Sequence, residues 1–158
     1  KKVFDSNPDG IYLAGLDREI GLILKQANEL GYQKQFYASA GAVSPKLIEI
    51  AGDAAEGLIT VSESFDPTDE VLAKSNFVIA FKEKFNKEPE WVSANSYEAI
   101  MIVGQLIESG CENGEQCKNG LDSITFHSFS GKLKFDSNGD VIKESRLLIV
   151  ANGTFEKF

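Results

Sequence analysis

Through the first half of the chain, short apolar runs alternate with amphipathic stretches. Gly10-Ile-Tyr-Leu-Ala14 follows the turn residues Asn7-Pro-Asp-Gly10, and its unbroken apolarity predicts a buried strand. Ile20, Ile23, Leu24, Ala27 and Leu30 then recur at helical spacing, with Gly31 placed for a C-cap. Gln35-Phe-Tyr-Ala38 reads as a second strand. Ser44-Pro45 predicts a helix start, with Ser as N-cap and Pro at the first helical position. That helix runs to about Ala51. Ile50-Ala-Gly-Asp-Ala-Ala-Glu-Gly57 turns the chain into a third strand, Leu58-Ile-Thr-Val61. The order β-α-β-α-β with short loops predicts an α/β fold of parallel strands joined by right-handed crossovers. Ser62-Glu-Ser-Phe-Asp-Pro67 is a polar exit, where the chain leaves one structural body for another.

The second half follows another rhythm. Asp66-Pro67 predicts the start of a long helix with Asp69 and Glu70 in its first turn. Phe77, Ala80, Phe81 and Phe85 share one face of it, and Asn86-Lys-Glu-Pro-Glu90 ends it. A second helix is expected over 93–109. There Ala99, Ile102, Val103, Leu106 and Ile107 make a wide apolar face, with Tyr97 and Met101 on another side. A helix that apolar calls for burial between layers, yet the chain offers it no obvious sheet. A short helical stretch is expected near Leu121. Gly131-Lys-Leu-Lys-Phe135 alternates as a half-exposed strand, and Arg146-Leu-Leu-Ile-Val150 reads as a buried one. Asn152-Gly153 is a hairpin turn before Thr154-Phe-Glu-Lys-Phe158.

Charge and composition narrow the function. The chain has 158 residues and a net charge of −8 from 24 acidic and 16 basic residues. An acidic surface argues against nucleic acid and anionic membrane as partners, although such an excess also serves solubility alone. No apolar run is long enough to span a membrane. The chain opens as the end of a helix and without a signal peptide, so it reads as an excised piece of a longer protein. Cys111 and Cys117 flank the turn-prone segment Glu112-Asn-Gly-Glu-Gln116. They suit a small disulfide loop in an oxidising compartment, free thiols being the alternative. With His127 the single histidine, no metal-ligand set or metal cofactor is expected.

Catalytic motifs are equally thin. Asp136, Asn138 and Asp140 open like a calcium loop, but Val141 and Leu147 stand where Gly and Glu are needed, so an exposed turn is expected. Ser128 and Ser130 near His127 lack a nucleophile elbow, and 38–43 lacks the lysine and spacing of a phosphate loop. A hydrolase is the remote reading for want of a nucleophile–base set. One location is more promising. Ligands of parallel sheets bind at the carboxyl ends of the strands. Those ends here are Gly15-Leu16-Asp17 and Ser39-Ala40-Gly41, whose small residues permit close approach. The bland readings are plain connecting loops, with Asp17 and Glu19 capping the helix that follows.

The runs Ala14-Gly-Leu-Asp-Arg-Glu-Ile-Gly21 to Gly31, Gln35-Phe36 and Ile50-Ala-Gly-Asp-Ala-Ala-Glu-Gly57 resemble the branched-chain amino-acid (Leu/Ile/Val) binding proteins. Tyr97-Glu-Ala99 and Gly131-Lys-Leu-Lys-Phe-Asp-Ser-Asn-Gly-Asp140 continue the match in order. These are type I periplasmic solute-binding proteins of ABC transporters, and the resemblance aligns the chain with roughly the last half of the family's length. It implies a type I periplasmic-binding-protein fold of two α/β lobes joined by three crossings. Residues 1–62 would then form a second-lobe βαβαβ segment, 63–130 helices of the first lobe, and 131–158 returning second-lobe strands. Hinge segments would lie at 62–66 and 135–146. The implied function is non-enzymatic: capture of a small polar solute in an interlobe cleft, delivered to a membrane permease, in the periplasm or outside the cell, free or lipid-anchored. A ligand-sensing extracellular domain of the same fold is the alternative. Leu16, Asp17, Ser39 and Ala40 would line the second-lobe wall. The amino-acid binders carry a tyrosine at the position of Leu16 and an acidic residue at that of Ala40. Without that carboxylate a buried ammonium is costly. Either Asp17 turns inward to replace it, or the ligand is a carboxylate, an amide or a more apolar molecule. The unpartnered apolar helix would favour self-association.

Overall fold

The computed structural model describes residues 2–63, 65, 69–143 and 145–158. The chain divides into two compact units, Lys1–Glu63 with Ser145–Phe158, and Ser64–Glu144.

The first unit is a five-stranded sheet with helices. Its elements are α1 (Lys2–Asp5), β1 (Gly10–Leu13), α2 (Asp17–Glu29), β2 (Gln35–Ala38), α3 (Pro45–Ala51), β3 (Ile59–Glu63), β6 (Ser145–Ala151) and β7 (Thr154–Lys157). The strand order is β1-β2-β3-β6-β7. β1, β2 and β3 run parallel, with Tyr12 opposite Tyr37 and Tyr37 opposite Ile59. β6 returns antiparallel, pairing Ile149 with Ile59. Local chemistry explains each boundary. Ser44 accepts a hydrogen bond from the Lys46 N–H and so caps α3, with Pro45 at its first turn. Past α2, Gly31 adopts φ +72°. Its N–H reaches the Asn28 carbonyl and that of Tyr32 reaches Ala27, a Schellman closure that a β-carbon would strain. The core lies on one face of the sheet, where Ile20, Leu24, Leu47 and Ala51 of the helices meet Ala38, Leu58 and Val150.

The 50–57 motif has a structural role the sequence did not disclose. The Glu56 carboxylate accepts the backbone N–H groups of Asn152 (3.1 Å) and Gly153 (2.7 Å), the two turn residues of the β6–β7 hairpin.

The second unit holds α4 (Asn76–Phe85), α5 (Trp91–Glu108), α6 (Gly114–Ser123), β4 (Phe126–Ser128) and β5 (Gly131–Leu133). The expected helix start at Asp66-Pro67 lies outside the described residues. Beyond it, 69–75 is not α-helical. Asp69 accepts the N–H groups of Val71 and Leu72 and supports only a 3₁₀ turn, Leu72–Lys74. Ser75 then caps α4 by accepting the Val78 N–H. α6 is longer than the expected stretch near Leu121, because Asn113 caps it ahead of the second cysteine. β5 pairs with β4 in this unit, not with the five-stranded sheet. Both proposed hinge segments include residues outside those described.

α5 departs from expectation in one respect. Its buried stripe is Ala94, Glu98, Ile102 and Leu106. Val103 (50% exposed) and Ile107 (60%) face away from that stripe. The expected apolar face is therefore split, half packed and half open. The packed half meets Phe126 and Leu133, with the Cys111–Cys117 disulfide against the same cluster. A second cluster gathers Phe65, Phe77, Phe81 and Phe129. The Phe77 and Phe129 rings stack at 4.7 Å.

Candidate functional site

The carboxyl ends of β1, β2 and β3 are tied into one surface by polar bonds and one close approach. Ser39 follows β2. Its N–H donates to the Leu13 carbonyl of β1 at 3.1 Å. Its hydroxyl donates to the Gly15 carbonyl at 3.1 Å and accepts the Gly15 N–H at 3.4 Å. Thr60, buried in β3, places its hydroxyl 3.0 Å from the Ser39 carbonyl and 3.2 Å from that of Ala38. Gly41 completes the contact. A β-carbon there would lie 2.5 Å from the Gly15 oxygen and 3.2 Å from Leu16 Cδ2. The two loops approach this closely because residue 41 has no side chain.

The four sequence-predicted positions all fall on this surface, with different exposures and engagements. Leu16 occupies the N-cap position of α2 with an extended backbone and no side-chain cap, and it is 65% exposed. Asp17 opens α2, and its carboxylate accepts the Arg18 N–H at 2.7 Å. It thus serves the helix start, as its acidic charge favours. Ser39 is committed to Gly15. Ala40 begins a 3₁₀ turn, Ala40–Ala42, whose own bonds come from the N–H groups of Ala42 and Val43, leaving those of Ala40 and Gly41 outside that pattern. The surface therefore offers an apolar side chain, two loop N–H groups and a helix amino end.

Thr60 was missed as a site-building residue. Thr60 carried a faint signal, a lone hydroxyl in an apolar strand, which demands a buried partner. Gly41 was read as a small residue permitting close approach, and what approaches it is the Gly15–Leu16 loop, 26 residues earlier in the chain. A groove of about 270 Å³, lined in part by Tyr32, Lys34, Phe36, Asp53 and Gly57, opens at the other end of the strands. That is not where parallel sheets hold ligands.

In the second unit, the serines near His127 are spent elsewhere. Ser128 donates to Glu98 Oε1 at 2.5 Å, and Ser130 donates to the same oxygen. The His127 backbone is held by Gln105, which accepts its N–H at 3.0 Å and donates to its carbonyl at 2.9 Å. Among the described residues, no three His, Cys, Asp or Glu side chains are grouped to hold a metal ion. Asp136 turns its carboxylate onto the N–H groups of Asn138 (2.8 Å) and Asp140 (3.0 Å), and these bonds hold its pKa below the usual range. No helix among the described residues is long and apolar enough to cross a membrane.

Comparison with known proteins agrees with the resemblance. A family model described as periplasmic binding protein matches residues 1–154. A leucine-, isoleucine-, valine-, threonine- and alanine-binding protein of Pseudomonas aeruginosa is 32% identical over 136 residues. The match takes in 83% of this chain and 35% of that protein. The solved leucine-binding protein of Thermotoga maritima is 36% identical with a TM-score of 0.82, covering 99% of this chain and 45% of that one. The branched-chain amino-acid transporter substrate-binding protein of Streptococcus pneumoniae, solved with isoleucine, is 26% identical with a TM-score of 0.73, over 94% and 43%. The chain thus spans between a third and a half of the length of these relatives. The type I periplasmic-binding-protein fold expected from sequence is the fold of these neighbours, present here in part. All three are named for binding and none for catalysis, in keeping with the non-enzymatic reading.

Proposed function

We propose, starting from the fact that this chain belongs to the periplasmic binding protein family, that it serves as the solute-binding component of an ABC importer. The observation that carries the proposal is the knitted surface at the ends of β1, β2 and β3. Hydrogen bonds tie its loops together, it presents N–H donors beside an apolar side chain, and it sits where parallel sheets hold ligands. Leu16, Asp17, Ser39 and Ala40 belong to one wall of the solute cleft in this reading, and Ser39 acts by holding the wall together. Closure of two lobes about a hinge retains the solute, and a membrane permease receives it outside the cytoplasm.

The wall favours a particular solute chemistry. Ala40 supplies no carboxylate, and the Asp17 carboxylate is engaged at the start of α2. A ligand that turns an ammonium to this wall meets no counter-charge, which is costly once water is excluded. A carboxylate or amide oxygen suits the loop N–H groups and the amino end of α2 better. The ligand class is therefore an amino acid whose ammonium faces elsewhere, or a related amide or organic acid.

A thermal-shift screen of the full-length protein with amino acids, amides and organic acids tests this. The expected result is a concentration-dependent rise in melting temperature with at least one acid or amide. A rise with none of them would refute the importer reading. A rise confined to leucine, isoleucine and valine, enhanced rather than unchanged in Ala40→Glu, would place the ammonium at this wall and overturn the ligand preference.

A further inference from the structure

Glu98 is a charged side chain in the middle of α5, and it is 3% exposed. Two segments far from it in sequence converge on it. Ser128 and Ser130, flanking the β4–β5 turn, both donate to Oε1. Lys143 donates its ammonium to Oε2. The same ammonium reaches Asn95 Oδ1 at 2.9 Å, one helical turn before Glu98. Lys143 itself ends a folded-back segment. Phe135 bridges Val141, and the Ile142 N–H donates to the Lys134 carbonyl at 2.8 Å. Two residues after Lys143 the chain enters β6 of the other unit.

A buried ion pair is weak evidence for stability, because desolvation of both charges offsets most of their attraction. What such a pair supplies is position. Here α5, the β4–β5 turn and Lys143 meet at one carboxylate. We infer that the Glu98–Lys143 pair is an anchor fixing the point at which the chain leaves the second unit on its way to β6. The seryl hydroxyls orient the carboxylate, and Lys143 carries the constraint into the folded-back segment 134–143. Glu98 is a positioning residue in this scheme and touches no ligand. The inference does not rest on the importer reading.

Hydrogen exchange followed by mass spectrometry tests it, comparing peptides that span 134–143 with peptides from α2. The variants are Glu98→Gln, Lys143→Met and the double variant Glu98→Met/Lys143→Met. Lys143→Met should raise exchange across 134–143 at least tenfold and leave α2 unchanged. The double variant removes both charges, so its melting temperature should recover toward wild type while exchange in 134–143 stays raised. That split separates position from stability. Wild-type protection of 134–143 in Lys143→Met overturns the inference. So does a double variant that regains both stability and protection, since the pair would then only neutralise charge. Should Glu98→Gln fail to fold, the other two variants carry the test.

Discussion

Replacing Gly41 with alanine probes whether the two candidate ligand loops depend on their close approach. The new β-carbon would lie 2.5 Å from the Gly15 carbonyl oxygen, whereas a carbon–oxygen contact settles at roughly 3.3 Å or more. The loops must therefore part by about 0.8 Å. The exposed Leu16 side chain can turn aside, but the Gly15 oxygen is backbone and already accepts from Ser39 at 3.1 Å. Overpacking of this kind costs about 1–3 kcal/mol. Losing the Ser39–Gly15 exchange adds about 1 kcal/mol. Alanine recovers about 0.5 kcal/mol by stiffening the unfolded chain. The net expectation is a loss of about 1.5–3.5 kcal/mol. For a unit of this size that is a fall in melting temperature of roughly 10 °C or more. Ser39→Ala, which removes the hydroxyl and adds no atoms, should cost only about 1 kcal/mol. Thermal melts by circular dichroism, with hydrogen exchange on peptides covering 10–16 and 35–43, measure both effects. The reasoning fails if Gly41→Ala melts within a degree or two of wild type, or if Ser39→Ala is the more damaging change.

Three further outcomes follow from other parts of the molecule. Reducing the Cys111–Cys117 disulfide, or replacing both cysteines with serine, reopens a loop of sequence separation 6. The chain-entropy relation puts the loss near 2.3 kcal/mol, read as a lower melting temperature in reductant that the serine variant does not show. Burial alone would raise the Glu98 pKa, but hydrogen bonds from Lys143, Ser128 and Ser130, with the lysine charge, outweigh it and leave the pKa lowered. A depressed folded-state pKa contributes stability above the unfolded carboxylate value and loses it as pH falls through the folded one. Urea midpoints should therefore hold from neutral pH into the ordinary carboxylate range and drop below it, with a shallower acid slope in Glu98→Gln. The open half of α5 should drive self-association of the 158-residue chain. Val103→Lys with Ile107→Lys should shift sedimentation velocity toward monomer at unchanged helicity, and an unaltered profile would count against that face.

The legible part of the fold was the part governed by neighbours in sequence. β1, α2, β2, α3 and β3 announce themselves through unbroken apolar runs, the Ser44-Pro45 cap and Gly31, because each signal and its effect lie within one turn of chain. The cap of α4 went unread: Ser75 accepts the Val78 N–H, and the helix begins at Asn76. Longer-range effects stayed hidden. Glu98 reads as an ordinary solvated helix position until Ser128 and Lys143 arrive from 30 and 45 residues away. The candidate site divides the same way. Strand ends located Leu16, Asp17, Ser39 and Ala40, but the packing that binds their loops runs through Thr60 and Gly41, which only the folded sheet brings together.

The antiparallel return of β6 governs how the first unit can be made. β3 is flanked by β2, laid down shortly before it, and by β6, which begins 82 residues after β3 ends. On a ribosome, β1, β2 and β3 would emerge with one side of β3 unclaimed throughout synthesis of the whole second unit. An open edge is a template for pairing with other chains. Long-range strand pairing is also slow to form. The last fourteen residues, with Glu56 waiting to grip the turn at Asn152 and Gly153, act as a late clasp on an otherwise sticky intermediate. The arrival of β6, more than the folding of any single helix, sets the moment at which the open side of β3 is covered.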